Sequence, residues 1–207
     1  MILDEFKKLP IIGIVRDVEL EGIDAFTEAL VSSGLKTMEV TMNTPDVESI
    51  LKAVVKTAAN RLTIGAGTVL TIDDVKRAVN SGATFIVMPI VIPTVVEYCI
   101  QEKIPVFPGA FSPQEVYNAW MLEVTMVKIF PAKFFGPDYC KTIKGPFKDI
   151  DFLSCGGVTP ENINLFFNAG AAAVAFGSSI FAKNLLHQKK FEVIESKIKE
   201  LITAYNG

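Results

Sequence analysis

The chain has a single histidine, His187, and only three cysteines, Cys99, Cys140 and Cys155. One histidine in a polar C-terminal stretch leaves no material for a Ser-His-Asp triad or a histidine-based metal site. The cysteines lie far apart with no Cys-x-x-Cys pair, so no metal site is expected, and reduced thiols in a cytoplasmic protein are. Basic clusters are missing too. The formal net charge is −3 and Lys189-Lys190 is only a pair, which reads as a solvated helix face and excludes nucleic acid as a partner. No apolar run reaches the roughly 20 residues of a membrane span. The most apolar stretch, Phe85 to Val96, is interrupted by Pro89 and Pro93. The first residues show no basic region, apolar core and small-residue cleavage site, so no signal peptide is expected. Without a Pro/Ser-rich linker or low-complexity segment, residues 1–207 read as a single domain.

What is present is hydrophobic: 50% of the residues, with a mean hydropathy of +0.37. That composition predicts strands buried on both faces, as in a parallel sheet. Eight short runs rich in Val, Ile, Met and Phe centre near Ile12, Met38, Ile64, Ile86, Val106, Val127, Leu153 and Val174, spaced by 20 to 26 residues. Segments with helical spacing lie between them, among them Gly22 to Ser33, Asp46 to Ala59, Ile72 to Ser81 and Pro160 to Asn168. Thr44, Thr71, Ser112 and Thr159 offer helix caps, three of them followed by proline, and Gly34, Gly82 and Gly170 offer helix stops. The alternation predicts a (β/α)8 TIM barrel preceded by a short helix from Leu3 to Leu9. A doubly wound open sheet is the alternative. Its nucleotide fingerprint is lacking, because Gly65-Ala66-Gly67-Thr68 has no third glycine at the required spacing.

In a barrel, the C-terminal ends of the strands build the active site. Lys128 sits in the sixth run, Met126 to Pro131, where a desolvated ammonium is costly unless it is paired or neutral. Burial of a lysine favours the neutral amine, which is a nucleophile, so the residue is a candidate for Schiff-base chemistry. The plain structural alternative is a strand-end lysine that snorkels to water. Glu39 lies in the second run and Arg16 ends the first, each also readable as a rim residue. Together they suggest imine catalysis: Lys128 attacks a keto carbon, Glu39 shuttles protons, and Arg16 grips a carboxylate or phosphate. The turns Gly156-Gly157 and Gly177-Ser178 follow the last two runs, where many barrels bind phosphate, although glycines also make plain turns.

These residues carry a resemblance. The chain resembles the class I pyruvate aldolases acting on 2-keto-3-deoxy-6-phosphogluconate and 4-hydroxy-2-oxoglutarate. The similarity runs through Gly13-Ile14-Val15-Arg16, Met38-Glu39-Val40-Thr41, Gly65-Ala66-Gly67-Thr68, Val106-Phe107-Pro108-Gly109, Val127-Lys128-Ile129-Phe130-Pro131-Ala132, Gly156-Gly157-Val158-Thr159-Pro160 and Phe176-Gly177-Ser178. It implies Lys128 as the imine-forming lysine and Glu39 as the acid/base. It implies Thr68 near the pyruvate carboxylate, Phe130 beside the imine, and Arg16, Gly156, Gly157, Gly177 and Ser178 at the far end of the substrate. It also implies an enzyme without cofactor, usually a homotrimer. Three positions depart from the pattern. Met42-Asn43 stand where many members carry an arginine two residues past the threonine, which brings in the galactonate-derived epimer as an alternative substrate. Met88-Pro89 replace a Ser-Pro or Thr-Pro at the mouth, and Ser154-Cys155 replace a Pro-Thr. Two further readings compete: a phosphate-binding barrel isomerase or decarboxylase using Lys128 as a charged acid, and a degenerate barrel that only binds a keto acid or phosphate.

Overall fold

Every strand pairing among residues 3–207, those described by the computed structural model, is parallel, as burial on both faces requires. Met1 and Ile2, the first two residues of the expected domain, lie outside the described residues. One sheet contains β1 (Ile11–Val15), β2 (Thr37–Thr41), β3 (Thr63–Gly67), β4 (Ile86–Val87), β5 (Val106–Phe107), β6 (Gly109–Ala110), β7 (Val127–Ile129), β8 (Phe152–Cys155) and β9 (Ala173–Phe176). Its hydrogen-bonded order is β5-β4-β3-β2-β1-β9-β8-β7-β6. The two ends of that order are separated in the chain by Pro108 alone, so the sheet curls back on itself as a nearly closed (β/α)8 barrel.

The fifth apolar run thus gives two strands instead of one. Pro108 has no N–H for a ladder, and here the chain changes partner from β4 to β7. The Pro108 carbonyl accepts the Lys128 N–H at 2.9 Å. Glycine follows at 109 because a Cβ there would strike the backbone carbonyl of Pro89.

The helices are α1 (Leu3–Lys8), α2 (Ile23–Ser32), α3 (Val47–Ala58), α4 (Ile72–Asn80), α5 (Pro93–Gln101), α6 (Pro113–Trp120), α7 (Gly136–Lys144), α8 (Ile163–Asn168), α9 (Lys183–His187) and α10 (Phe191–Asn206). Thr71 and Ser112 form full capping boxes with Asp74 and Glu115. Thr44 and Thr159 do not cap. The Thr44 hydroxyl instead meets the Thr41 hydroxyl at 3.1 Å and accepts the Asp17 N–H at 3.3 Å, and α3 starts behind Asp46. The Thr159 N–H donates to Asn162 Oδ1 at 2.8 Å, and α8 begins only at Ile163. No helix among the described residues is long and apolar enough to cross a membrane.

Strand residues alternate between two cores. Outward residues such as Ile11, Val15, Met38 and Val40 pack under the helices. Inward ones, including Ile12, Val87, Leu153 and Ala175, fill the barrel. At the N-terminal end Phe6 of α1 enters the barrel, edge-on to Phe107 at 6.2 Å, which in turn stands edge-on to Phe85 at 5.9 Å. Phe85 fits because β3 offers Gly65 opposite its ring. Burying each such ring stabilises the fold by roughly 2–3 kcal/mol. This floor is closed by apolar side chains, so the barrel interior opens at the other end.

Candidate active site

Lys128 lies mid-strand on β7 with Gly109 and Leu153 as its Cα partners on either side. Its side chain points into the barrel and is only 6% exposed, with Nζ 5.0 Å from the centroid of the Phe130 ring. Glu39, on β2 between Ile14 and Gly65, is 1% exposed. Both line one cavity of about 280 Å³ at the C-terminal ends of the strands. Arg16, Thr68, Pro89, Phe130, Gly156, Gly157, Gly177 and Ser178 complete most of its wall. Residues spread over the sequence from 16 to 178 are therefore brought to one mouth by strand register.

The electrostatics are unusual for a buried carboxylate. Burial pushes the Glu39 carboxyl up to about 7, while the charges of Lys128 and Arg16 pull it down. Among the described residues, Glu39 Oε2 has no hydrogen-bond partner. Burying an ionisable carboxyl disfavours its charged form, so the group is held here against stability. Room for it comes from β3, since a Cβ on Gly67 would collide with Glu39 Oε1. An acid with a pKa near neutrality can both take and return a proton at physiological pH.

Arg16 reaches across the rim, its Nη2 lying 3.5 Å from Thr68 Oγ1. Thr68 has left-handed backbone (φ 55°), a strained conformation for a β-branched residue and one that recurs at binding sites. Gly156 and Gly157 also have positive φ, 102° and 76°, which only glycine adopts without strain. The Gly156 N–H already donates to the Ala175 carbonyl at 3.4 Å, continuing the β8–β9 ladder.

Asn43 is the expected site residue that stands apart. The Thr44 N–H donates to the Thr41 carbonyl at 2.9 Å, closing a turn with Met42 and Asn43 at its centre. Met42 is buried, Asn43 is exposed, and Asn43 is not part of the cavity wall. Met88 likewise packs in the outer core, leaving Pro89 as the wall residue.

Sequence reasoning missed five wall residues: Ile14, Asp17, Cys155 as a lining group, Phe181 and Lys183. Cys155 carries the plainest missed signal, since it ends β8 on the inward face two residues beyond Leu153. Burial raises its thiol, against the opposing pull of the Lys128 ammonium beside it. Lys183, on α9, has no strand-end signal at all. Two other hollows are larger, at about 640 and 650 Å³, the first adjoining the site through Pro89 and Phe130. The first is mostly apolar, and its one carboxylate, Glu115, is engaged in capping α6. The second lies at the N-terminal face, away from Lys128.

The profile of the KDPG and KHG aldolase family matches residues 2–197. The chain belongs to this family. As an aldolase, a carbon–carbon lyase, it is 33% identical over 175 residues to the 2-dehydro-3-deoxy-6-phosphogalactonate aldolase of Escherichia coli, covering 84% of this chain and 85% of the relative. A solved native KDPGal structure superposes with a TM-score of 0.89 at 30% identity, over 96% of this aldolase and 95% of that chain. The KDPG aldolase of Legionella pneumophila, solved with pyruvate captured as a covalent carbinolamine, superposes with a TM-score of 0.85 at 27% identity over 93% of each chain.

Proposed function

We propose that this aldolase works through a Schiff base on Lys128, cleaving 2-dehydro-3-deoxy-6-phosphogluconate reversibly to pyruvate and glyceraldehyde 3-phosphate. The observation that carries this reading is the burial of one lysine and one carboxylic acid facing a single cavity at the strand C-termini. A structural ion pair buried there would be a poor source of stability. The captured pyruvate carbinolamine of the Legionella relative supports the same chemistry.

In the cleavage direction the unprotonated Lys128 amine attacks the C2 keto carbon. Glu39 supplies the proton with which the carbinolamine hydroxyl leaves as water. The protonated imine then draws the electron pair of the breaking C3–C4 bond into an enamine, while the Glu39 carboxylate takes the C4 hydroxyl proton. The aldehyde leaves, Glu39 returns a proton at C3, and hydrolysis frees pyruvate and lysine. The imine is itself the electron sink, so no cofactor enters. Thr68 and Arg16 orient the anionic ends of the substrate, and Phe130 packs beside the imine. The smaller substrate 4-hydroxy-2-oxoglutarate, which would give pyruvate and glyoxylate, fits the same steps.

A second reading is preference for the galactonate epimer, supported by similarity to a 2-dehydro-3-deoxy-6-phosphogalactonate aldolase of Escherichia coli. Asn43 adds nothing to it from outside the cavity wall. Comparing kcat/KM on the two epimers decides, and a tenfold preference for the galactonate compound would reverse our order. Incubation with pyruvate and borohydride, followed by peptide mapping, tests the mechanism. A reduced adduct on Lys128 is expected; its absence would leave an acid-type isomerase or a binding-only barrel. Assembly as a cytoplasmic homotrimer is part of the proposal. The exposed apolar residues Ile90, Trp120, Met121, Phe134 and Phe135 offer a contact surface, and sedimentation of the purified protein reads its mass.

A further inference from the structure

Two charged residues on the cavity wall have no part in the steps above: Asp17 and Lys183. Lys183 Nζ lies 3.0 Å from Asp17 Oδ2, with the lysine side chain 86% exposed and the aspartate 40%. The aspartate is placed firmly. Its backbone is left-handed (φ 56°) and its N–H is bound by the Thr44 hydroxyl. It also follows Arg16 directly, which puts a negative charge beside the cation expected to grip the substrate.

An aspartate at the mouth opposes any dianionic ligand unless a mobile cation offsets it. Lys183 is suited to that work, because it is the first residue of α9 and follows the last strand closely in the chain. The N–H groups of Ile180 and Phe181 both donate to the Gly177 carbonyl, at 3.0 and 2.8 Å, bringing this segment beside Ser178 on the wall. An ion pair this exposed contributes little to stability, so an arriving phosphoryl group can compete for the lysine. A charge-assisted contact to a dianion is stronger than the one it replaces.

We propose that Lys183 is a specificity-determining residue that exchanges from Asp17 onto the terminal phosphoryl group of the substrate. Asp17 parks the lysine at the rim when no anion is bound and weakens binding of ligands that cannot take it over. The inference rests on the cavity being an aldolase site for phosphorylated keto acids.

Calorimetric titration with glycerol 3-phosphate tests this without requiring turnover. The unaltered protein should bind it, Lys183→Met should weaken Kd about tenfold, and Lys183→Arg should restore most of the loss. Asp17→Asn should tighten Kd two- to threefold, on the order expected for an exposed charge. In turnover, Lys183→Met should lower the ratio of kcat/KM for 2-dehydro-3-deoxy-6-phosphogluconate over its unphosphorylated counterpart by a similar factor. No binding by the unaltered protein, or a Lys183→Met Kd within twofold of it, overturns the proposal. Pyruvate–borohydride labelling of the unaltered protein is read separately. Its failure with the phosphate effect intact would remove the Schiff base and leave this exchange standing.

Discussion

The inside of the barrel has two halves built on the same strands, and they obey opposite rules. The floor is made of Phe6, Phe85 and Phe107, ring against ring, with Gly65 giving way to make space. The mouth holds Glu39 and Lys128, buried as deeply but charged or chargeable, with Gly67 giving way to a carboxylate. Glycines two residues apart on β3 thus serve different ends. One admits an aromatic ring that stabilises, the other a carboxyl group that does not. Stability is concentrated where the barrel is closed, and the raised acid is tolerated where it opens.

The sharpest break between the halves is Lys128→Met. It should abolish aldol cleavage, lowering kcat by about 10⁴-fold or more, and remove the borohydride-trapped adduct while the thermal transition stays intact. Residual cleavage within tenfold of the parent would mean that another group carries the chemistry. Next comes Glu39→Gln, expected to lower kcat by about 10²–10⁴-fold. The same substitution should stabilise the fold, and more so at higher pH. The native acid sits near 7, above its ordinary 4.5, so the folded state holds a proton that the unfolded chain releases across that window. Wild-type stability from this group therefore falls as pH rises from about 4.5 to 7. The advantage of Glu39→Gln should grow to at most about 3 kcal/mol by pH 8, read from denaturant midpoints at several pH values.

The floor should respond in the other way. Phe107→Ala should cost about 3–5 kcal/mol in unfolding free energy, yet leave the extent of Lys128 labelling per folded molecule unchanged. The smallest pair is the most discriminating. Gly65→Ala and Gly67→Ala each add one methyl group to the same strand and should each cost about 1–3 kcal/mol. Only Gly67→Ala should also depress kcat, by displacing the Glu39 carboxylate. Equal kinetic effects of the two would dissolve the distinction between floor and mouth.

Much of this was legible before any fold was seen. Apolar runs at 20 to 26 residue intervals have the period of β/α units, and a lysine or glutamate inside such a run is conspicuous because burial penalises it. Where the reading erred, a tertiary contact had overridden a local signal. Thr44 looks like a cap, but Thr41 and the Asp17 backbone claim its hydroxyl. The fifth run looks like one strand, but Pro108 hands the chain from one neighbour to another.

The sequence by itself determined the barrel, the buried pair Lys128 and Glu39 as candidates, and most of the cavity wall, because strand periodicity dictates which residues share an end of the sheet. Only the tertiary structure could raise the Glu39 acid, leave Asn43 exposed outside the cavity wall, and set Lys183 against Asp17 across 166 positions of sequence. Those outcomes depend on burial and on through-space distance, which no local pattern encodes.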